Sequence, residues 1–252
     1  MPTDRDVAAL TSVLADISGV EGWLTPAQAR RLWNRAGRVP AGGTIVEIGS
    51  FRGRSAIVLA RASELNVAVV AIDPHGGGDR GPGEITADAA RGEADHTAFH
   101  DNIDLAGVSD RIRHIRTFSS QALGDVSDPV DLLYVDGAHR YHPARDDLMA
   151  WGAQVRTGGT LLVHDSFNAV GVTLAMLRVL VFGSSYRYVG RDGSLAEYRR
   201  VSLRGGARGI NIVRQLCQLP YFARMVLVKV ALSLRAYPVA RALGHSTRDW
   251  PF

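Results

Sequence analysis

The sequence predicts an α/β fold, an open, doubly wound, mostly parallel sheet of seven strands with helical additions at both ends. Three observations lead there. Short apolar runs alternate with helical patterns from Thr44 to Val163, the sequence mark of strands joined by crossover helices. The first run ends in a glycine-containing turn, Glu47-Ile48-Gly49-Ser50-Phe51-Arg52-Gly53. The last two runs, Tyr186 to Val189 and Leu195 to Val201, are separated only by Gly190-Arg191-Asp192-Gly193. That spacing reads as a hairpin, which puts an antiparallel strand at the end of the sheet.

In chain order, 4–18 and 26–36 read as helices. Leu10, Val13 and Leu14 follow helical spacing, and Thr25-Pro26 is an N-cap with a first-turn proline. These helices, in a segment 1–40, are expected to lie against the catalytic domain, 41–203. Within it follow a strand Thr44 to Ile48, a helix over 53–64, a strand Val67 to Ile72 and a glycine-rich stretch from Pro74 to Glu93. The stretch is too long for a routine connector and reads as a mobile lid over the acceptor, with His75, Asp79, Arg80 and Asp88 on it. A helix 94–106, strand 112–116, short helix near 119–124, strand Asp131 to Val135, helix 142–154, strand Gly159 to Val163 and helix 169–180 complete the alternation. An extension, 204–252, is helical, with an amphipathic stretch from Ile210 to Tyr237 broken at Pro220.

Composition sets bounds. The chain has 252 residues, 46% hydrophobic and 21% charged, which is globular usage and enough length for a substantial core. No run reaches the roughly 20 uninterrupted apolar residues of a membrane span, and the amino terminus lacks a secretory pattern. The expectation is a cytoplasmic protein. Cys217 is the single cysteine, which excludes an intrachain disulfide and a cysteine metal cluster and is read as a packed small hydrophobe. From Arg199 onward ten basic residues face one acid, whereas the first 198 residues carry 19 bases and 24 acids. Such an asymmetry gives the two parts different partners.

In an open α/β sheet a ligand sits beyond the carboxyl ends of the strands, where the strand order reverses. The first strand and its turn are therefore the place to look. Gly49 and Gly53 let the backbone turn tightly, and Ser55 starts a helix whose free N–H groups face the site. Glu47 is the informative residue: a carboxylate suits a cationic sulfonium nucleoside and does not suit a pyrophosphate. Asp73 ends the second strand, where an acid can accept hydrogen bonds from both ribose hydroxyls.

Two further motifs follow neighbouring strands, Tyr134-Val135-Asp136-Gly137-Ala138-His139-Arg140-Tyr141-His142 and Leu162-Val163-His164-Asp165-Ser166. Asp136 and Asp165 are expected to face each other across the crevice. Two oxygen ligands suit Mg2+ or another hard divalent cation, which would orient an acceptor hydroxyl and lower its pKa. His139, three residues beyond Asp136, is the candidate general base.

These residues together resemble the class I S-adenosylmethionine-dependent methyltransferases over about Gly43 to Val201, whose sheet is the Rossmann-like arrangement with an antiparallel terminal strand. The resemblance implies S-adenosylmethionine as cofactor, with Glu47, Gly49, Ser50, Gly53 and Ser55 around its methionine part and Asp73 on its ribose. Ser119 and Ser120, in Thr117-Phe118-Ser119-Ser120-Gln121, fall where such enzymes wrap the adenine. The Asp-Gly-x-His motif with His-Asp is similar to a narrower group, the metal-dependent O-methyltransferases of sugars and macrolide sugars. That implies Asp136 and Asp165 as metal carboxylates, Asp136 also bordering the cofactor, and His139 as base. His164 stands where the group has a carboxylate, as a nitrogen ligand, a group behind the ligands, or neither.

The expected function is thus methyl transfer to a hydroxyl of a sugar, oligosaccharide or glycosylated metabolite. A catechol-type acceptor remains the nearest alternative, because any adjacent hydroxyls can chelate a metal. A nicotinamide-dependent oxidoreductase would share Asp73, but the closer Gly-x-Gly-x-x-Gly spacing is absent. An inactive cofactor-binding protein would not need Asp136, His139 and Asp165 together. The basic tail, with Phe222, Val226, Leu227, Val230, Leu232 and Leu234 interrupted by Arg224, Lys229 and Arg235, fits packing or homo-oligomerisation, or peripheral contact with an anionic membrane. It carries no nucleic-acid recognition motif.

Overall fold

The computed structural model describes residues 4–78, 86–247 and 250, with side chains from residue 8 on. Seven strands form one sheet: β1 Thr44–Ile48, β2 Ala68–Ile72, β3 Ile112–Ile115, β4 Val130–Val135, β5 Val155–Val163, β6 Tyr186–Asp192 and β7 Leu195–Arg200. Their order is β3-β2-β1-β4-β5-β7-β6. The pairs among the first five strands are parallel, and β7 runs antiparallel to both β5 and β6. The Rossmann-like, mostly parallel sheet closed by an antiparallel strand is as the sequence predicts. Strand order reverses between β1 and β4, so a crevice opens above their carboxyl ends.

The helices are α1 Asp4–Asp16, α2 Pro26–Ala36, α3 Arg54–Ala62, α4 Ala89–Leu105, α5 Tyr141–Gln154, α6 Val170–Met176, α7 Gly205–Leu216, α8 Leu219–Ser233 and α9 Tyr237–Ala242. Alternate residues of the parallel strands serve opposite faces. Ile45, Leu132 and Tyr134 join Val13, Ile17, Leu32 and Ile57 in one core. Val46, Ile48, Leu133 and Val135 join Trp151, Phe167 and Met176 in the other. Burial on both faces explains why these strands read as near-continuous apolar runs.

The amino-terminal helices are fastened by polar groups as well as by packing. Thr25 caps α2 by accepting from the Gln28 N–H at 3.3 Å, and Gln28 Oε1 accepts from the Thr25 N–H at 2.8 Å. The buried Gln28 amide then reaches Ser194 in the β6–β7 turn. Arg31 and Arg35 of α2 lie 2.5 and 2.7 Å from the two oxygens of Glu197 on β7, whose side chain is 1% exposed.

Four local expectations need correcting. Helix α4 begins at Ala89 rather than residue 94, because Asp88 caps it by accepting from the Arg91 N–H. The supposed lid is correspondingly shorter, its base closed by Asp88 N–H donating to the Gly76 carbonyl at 3.0 Å. Asp79 and Arg80 lie outside the described residues, and His75 is buried rather than presented to an acceptor. Cys217 is exposed, because the chain turns between α7 and α8 at that point. No segment is expected from the sequence to be able to span a bilayer, yet Gly205–Ser233 is long and apolar enough to do so by length and composition.

Helix α7 buries its amides. Asn211 accepts from the Tyr188 N–H at 2.8 Å and donates to the Tyr186 carbonyl, satisfying the outer edge of β6. Its apolar Ile210 and Val213 are 64% and 60% exposed. In α8, Lys229 donates to the Asn168 carbonyl at 3.1 Å, while Tyr221 and Phe222 pack against the second core.

Removing Glu197 strands the Arg35 guanidinium and leaves Arg31 with Asp192 alone, both groups being largely out of water. Glu197→Ala is expected to cost about 3 kcal/mol of unfolding free energy, read from urea denaturation. A loss below about 0.5 kcal/mol would show that the clip contributes no more than a surface pair.

Candidate active site

A crevice of about 660 Å³ lies over the carboxyl ends of β1, β2, β4 and β5. Its geometry starts from one close approach. Gly49 has φ +86°, and a Cβ there would stand 2.1 Å from the Asp136 carbonyl oxygen. Gly49 N–H donates to the Ile72 carbonyl, and Asp136 N–H to the Ile48 carbonyl. Glycine is therefore required where the ends of β1 and β4 meet, and it leaves open backbone on the crevice wall.

The predicted cofactor residues divide into wall and support. Gly49, Asp73, Ser119, Ser120 and Asp136 line the crevice. Asp73 already accepts from the Phe51 N–H at 2.8 Å and the His75 N–H at 2.7 Å, so it shapes the turn and leaves further lone pairs for a ligand. Burial raises its pKa, against those two backbone hydrogen bonds. Ser119 donates to the Asp147 carboxylate, and its carbonyl receives the Trp151 indole N–H at 3.0 Å. Asp147 is pushed up to about 6, by burial against the Ser119 hydrogen bond.

Glu47, Ser50, Gly53 and Ser55 lie behind the wall. Glu47 is fully buried, and its Oε1 accepts from the Ser55 hydroxyl at the start of α3 while Oε2 has no partner. Gly53, at φ +86°, caps α3, and a Cβ there would press on Phe99 of α4 at 3.2 Å. Ser50 is 2% exposed beside them. Burial pushes Glu47 up to about 8; the Ser55 hydrogen bond and the nearby Ser50 hydroxyl oppose the rise, while Asp136 and Asp73 add to it. A cationic ligand is the natural partner for a buried carboxyl with an orphaned oxygen. Together with the glycine cradle, that fits S-adenosylmethionine.

Several wall residues were not singled out from the sequence. Trp23, between α1 and α2, stacks on Phe51 at 5.4 Å between ring centroids, and both border the crevice. Phe118 is 62% exposed on the same wall, offering an aromatic face beside Ser119 and Ser120. Its place between Thr117 and Ser119, directly after a strand, was the available signal. Asp147 and His142 border the crevice as well.

At the β4–β5 end the two acidic motifs meet. His139 Nε2 is 2.9 Å from Asp165 Oδ2, and His164 Nδ1 is 3.1 Å from Asp136 Oδ1 and 3.6 Å from Asp165 Oδ2. Neither ring nitrogen of His164 makes an aligned hydrogen bond. The Tyr134 hydroxyl donates to Asp136 Oδ2 at 2.7 Å, and the Asn168 amide donates to Asp165 Oδ1 at 2.7 Å. Single donor atoms of Asp136, His139 and Asp165 all lie within 4.8 Å of one another. This trio groups His139, rather than His164, with the two carboxylates. The chain crosses this point in a strained form, with Asp165 at φ +53°. Gly171, at the start of α6, backs the His139 turn; a Cβ there would stand 2.3 Å from the His139 carbonyl oxygen.

Charge explains the titration of this end. Burial pulls His164 down, but the Asp136 and Asp165 carboxylates overcome it and hold the imidazole well above its usual value. His139 is raised in the same way, burial being outweighed by the Asp165 hydrogen bond and charge. Asp165 would be raised by burial, yet the two imidazoles keep it well below the usual carboxylate range. The donor set, two carboxylates with imidazole nitrogen, fits a hard or borderline divalent cation.

A family model described as a methyltransferase domain matches residues 46–166. Among solved structures, the O-methyltransferase NovP is 16% identical, with 79% of this chain and 100% of that one covered at a TM-score of 0.58. TomG from Streptomyces achromogenes, an O-methyltransferase involved in tomaymycin synthesis and solved with S-adenosylmethionine, is 17% identical over 80% and 91% at a TM-score of 0.51. CalS11, a calicheamicin methyltransferase, is 16% identical over 79% and 94% at 0.51.

Two expectations follow from the cofactor end. Gly49→Ala is expected to weaken S-adenosylmethionine binding more than tenfold by calorimetry, because the wall must shift; unchanged affinity would remove Gly49 from the cradle. Glu47 has a folded pKa of about 8 against an ordinary 4.5. Its contribution to stability is full below the ordinary value and lost as pH rises towards about 8. The melting temperature of the ligand-free protein should fall across that window, and Glu47→Gln should flatten the fall. Parallel curves for the two proteins would exclude a protonated Glu47.

The strand order, the glycine cradle over β1 and β4 and the match over 46–166 converge: residues 46–166 resemble a methyltransferase domain, and the chain has the fold of solved O-methyltransferases, one of them in complex with S-adenosylmethionine.

Proposed function

We propose that the protein transfers the methyl group of S-adenosylmethionine to a hydroxyl of a sugar, oligosaccharide or glycosylated metabolite, with a divalent metal and with His139 as general base. The observation that carries this reading is the Asp136–His139–Asp165 trio, with donor atoms within 4.8 Å of one another, in the same crevice as Gly49 and Asp73. The neighbours named for tomaymycin and calicheamicin support an acceptor drawn from natural-product chemistry.

Asp136 and Asp165, with His164, would hold the metal, which when bound would supply a Lewis acid that orients and acidifies the acceptor hydroxyl, leaving His139 for the proton. The protein's own groups account for the remaining steps. Asp165 fixes the His139 imidazole at 2.9 Å, so a proton acceptor stands ready where an acceptor oxygen enters. The oxygen attacks the sulfonium methyl carbon, the carbon–sulfur bond breaks, and the hydroxyl proton passes to the His139–Asp165 pair. The products are a methyl ether, S-adenosylhomocysteine and one proton. His164, between the two carboxylates, offsets their mutual repulsion and keeps Asp165 ionised. Tyr134 and Asn168 orient the outer oxygens of Asp136 and Asp165. The crevice keeps these groups beside the cofactor wall, where approach in line with the methyl group is a matter of positioning.

Labelled methyl transfer to a panel of mono- and oligosaccharides, with catechol as the competing class, tests the acceptor; turnover of catechol alone would replace the sugar reading. His139→Ala is expected to lower kcat at least about 100-fold while leaving cofactor affinity within about twofold. A near-normal kcat would remove His139 from the base role. EDTA should abolish most turnover and Mg2+ or Mn2+ restore it, and insensitivity to chelator would end the metal proposal.

A further inference from the structure

Four imidazoles gather beside Asp73, one of them, His75, on the crevice wall itself. His96 and His100 are one helical turn apart on α4, His114 lies on β3, and His75 follows Asp73. Ring centroids are 4.7 Å apart for His96–His100, 5.3 Å for His100–His114 and 5.4 Å for His96–His114. Donor nitrogens of these three residues all lie within 4.8 Å of one another. The Nε2 atoms of His75 and His114 are buried and without a hydrogen-bond partner. Leaving such atoms unsatisfied is costly, and no hydrophobic core requires four histidines.

We propose that His96, His100 and His114 form a binding site for one borderline divalent cation of the Zn2+, Co2+ or Ni2+ class, separate from the Asp136–Asp165 cluster. Three neutral imidazoles suit these ions and not Mg2+ or Ca2+, which demand oxygen. Two histidines at i and i+4 present nitrogens on one helix face, and a third from an adjacent strand completes a trigonal base with a fourth position open. Tetrahedral ligation at about 2.1 Å brings nitrogens to roughly 3.4 Å from one another. His96 and His100 are only partly buried, so rotation of their rings closes the gap from 4.8 Å.

The surroundings agree with neutral ligands. Burial and the neighbouring imidazoles hold His114 down to about 3 and His75 down to about 4. Neutral nitrogen is the form that binds metal. The charged neighbours are Arg116, Glu93 and Asp95. Arg116 is paired with Glu93 at 2.6 Å and, by its charge, helps to keep His75 and His96 neutral, and Asp95 is occupied by Arg52. An ion here would tie α4 to β3 directly behind His75, whose backbone N–H fixes Asp73.

The test uses tag-free, full-length protein carrying Asp136→Asn and Asp165→Asn, so that the carboxylate cluster cannot answer for the histidines. Asparagine tolerates the left-handed backbone at 165. Co2+ alone is titrated and followed by its visible absorption, and retained metal is counted after gel filtration. One equivalent of Co2+, displaced by Zn2+ and accompanied by a rise in melting temperature, is the expected result. His96→Ala and His100→Ala, both at partly exposed helix positions, should each weaken binding at least about tenfold with an unchanged circular dichroism spectrum. Absence of retained metal in the histidine-intact protein, or full retention by either alanine variant, would overturn the site.

Discussion

The close approach of Gly49 to the Asp136 carbonyl is the constraint on which the site depends. Two parallel strands side by side would ordinarily diverge into separate connections at their ends. Here β1 and β4 stay in contact one residue past the last ladder pair, through the hydrogen bond from Asp136 to Ile48, while Gly49 bonds to Ile72 at the end of β2 on the other side. The first connection then leaves towards α3 and the second towards α5, on opposite faces of the sheet. What remains between them is a crevice with bare peptide on its floor and acids on both sides. A side chain at 49 would fill it at its narrowest point.

The acids on the two sides have different electrostatic fates. Glu47 is buried and Asp73 partly so, with few compensating cations, and their pKa values rise. Asp165 is as buried as Glu47 but faces two imidazoles, and it stays ionised. One end of the crevice therefore waits for a positive charge from a ligand, and the other has its charge balanced from within. A sulfonium cofactor answers the first need. A dication at the second would displace the positive charge that His164 and His139 now supply, which is why the carboxylates can be packed so closely without it.

Much of this was legible in the sequence, and the residues show why. Parallel strands buried on both faces leave unbroken apolar runs, so β1 to β5 were readable to within a few residues. Glycine, aspartate and histidine at strand ends are conspicuous because apolar residues surround them, which exposed Gly49, Asp73, Asp136, His139 and Asp165. The sequence did not show that Glu47, Ser50, Gly53 and Ser55 would stand behind the wall, since strand alternation fixes a face but not the reach of a side chain. It misplaced the start of α4, because Asp88 looks like a loop residue until its carboxylate is seen to cap the helix. The imidazole cluster was invisible for a different reason. His75, His96, His100 and His114 come from three separate elements, and only the β2–β3 pairing brings them together.

The supports of the crevice are supplied from opposite ends of the chain. The turn after β1 is held by Glu21 through Arg52 and by Val20 through Arg54, both from the amino-terminal segment. The loop after β5 is held at Asn168 by Lys229, from the carboxyl-terminal extension. The two ends of the crevice thus rest on different stretches of sequence. A change in the extension reaches the loop after β5 through Lys229, and a change in the amino-terminal segment reaches the turn after β1 through Arg52 and Arg54, so the two ends can be perturbed one at a time.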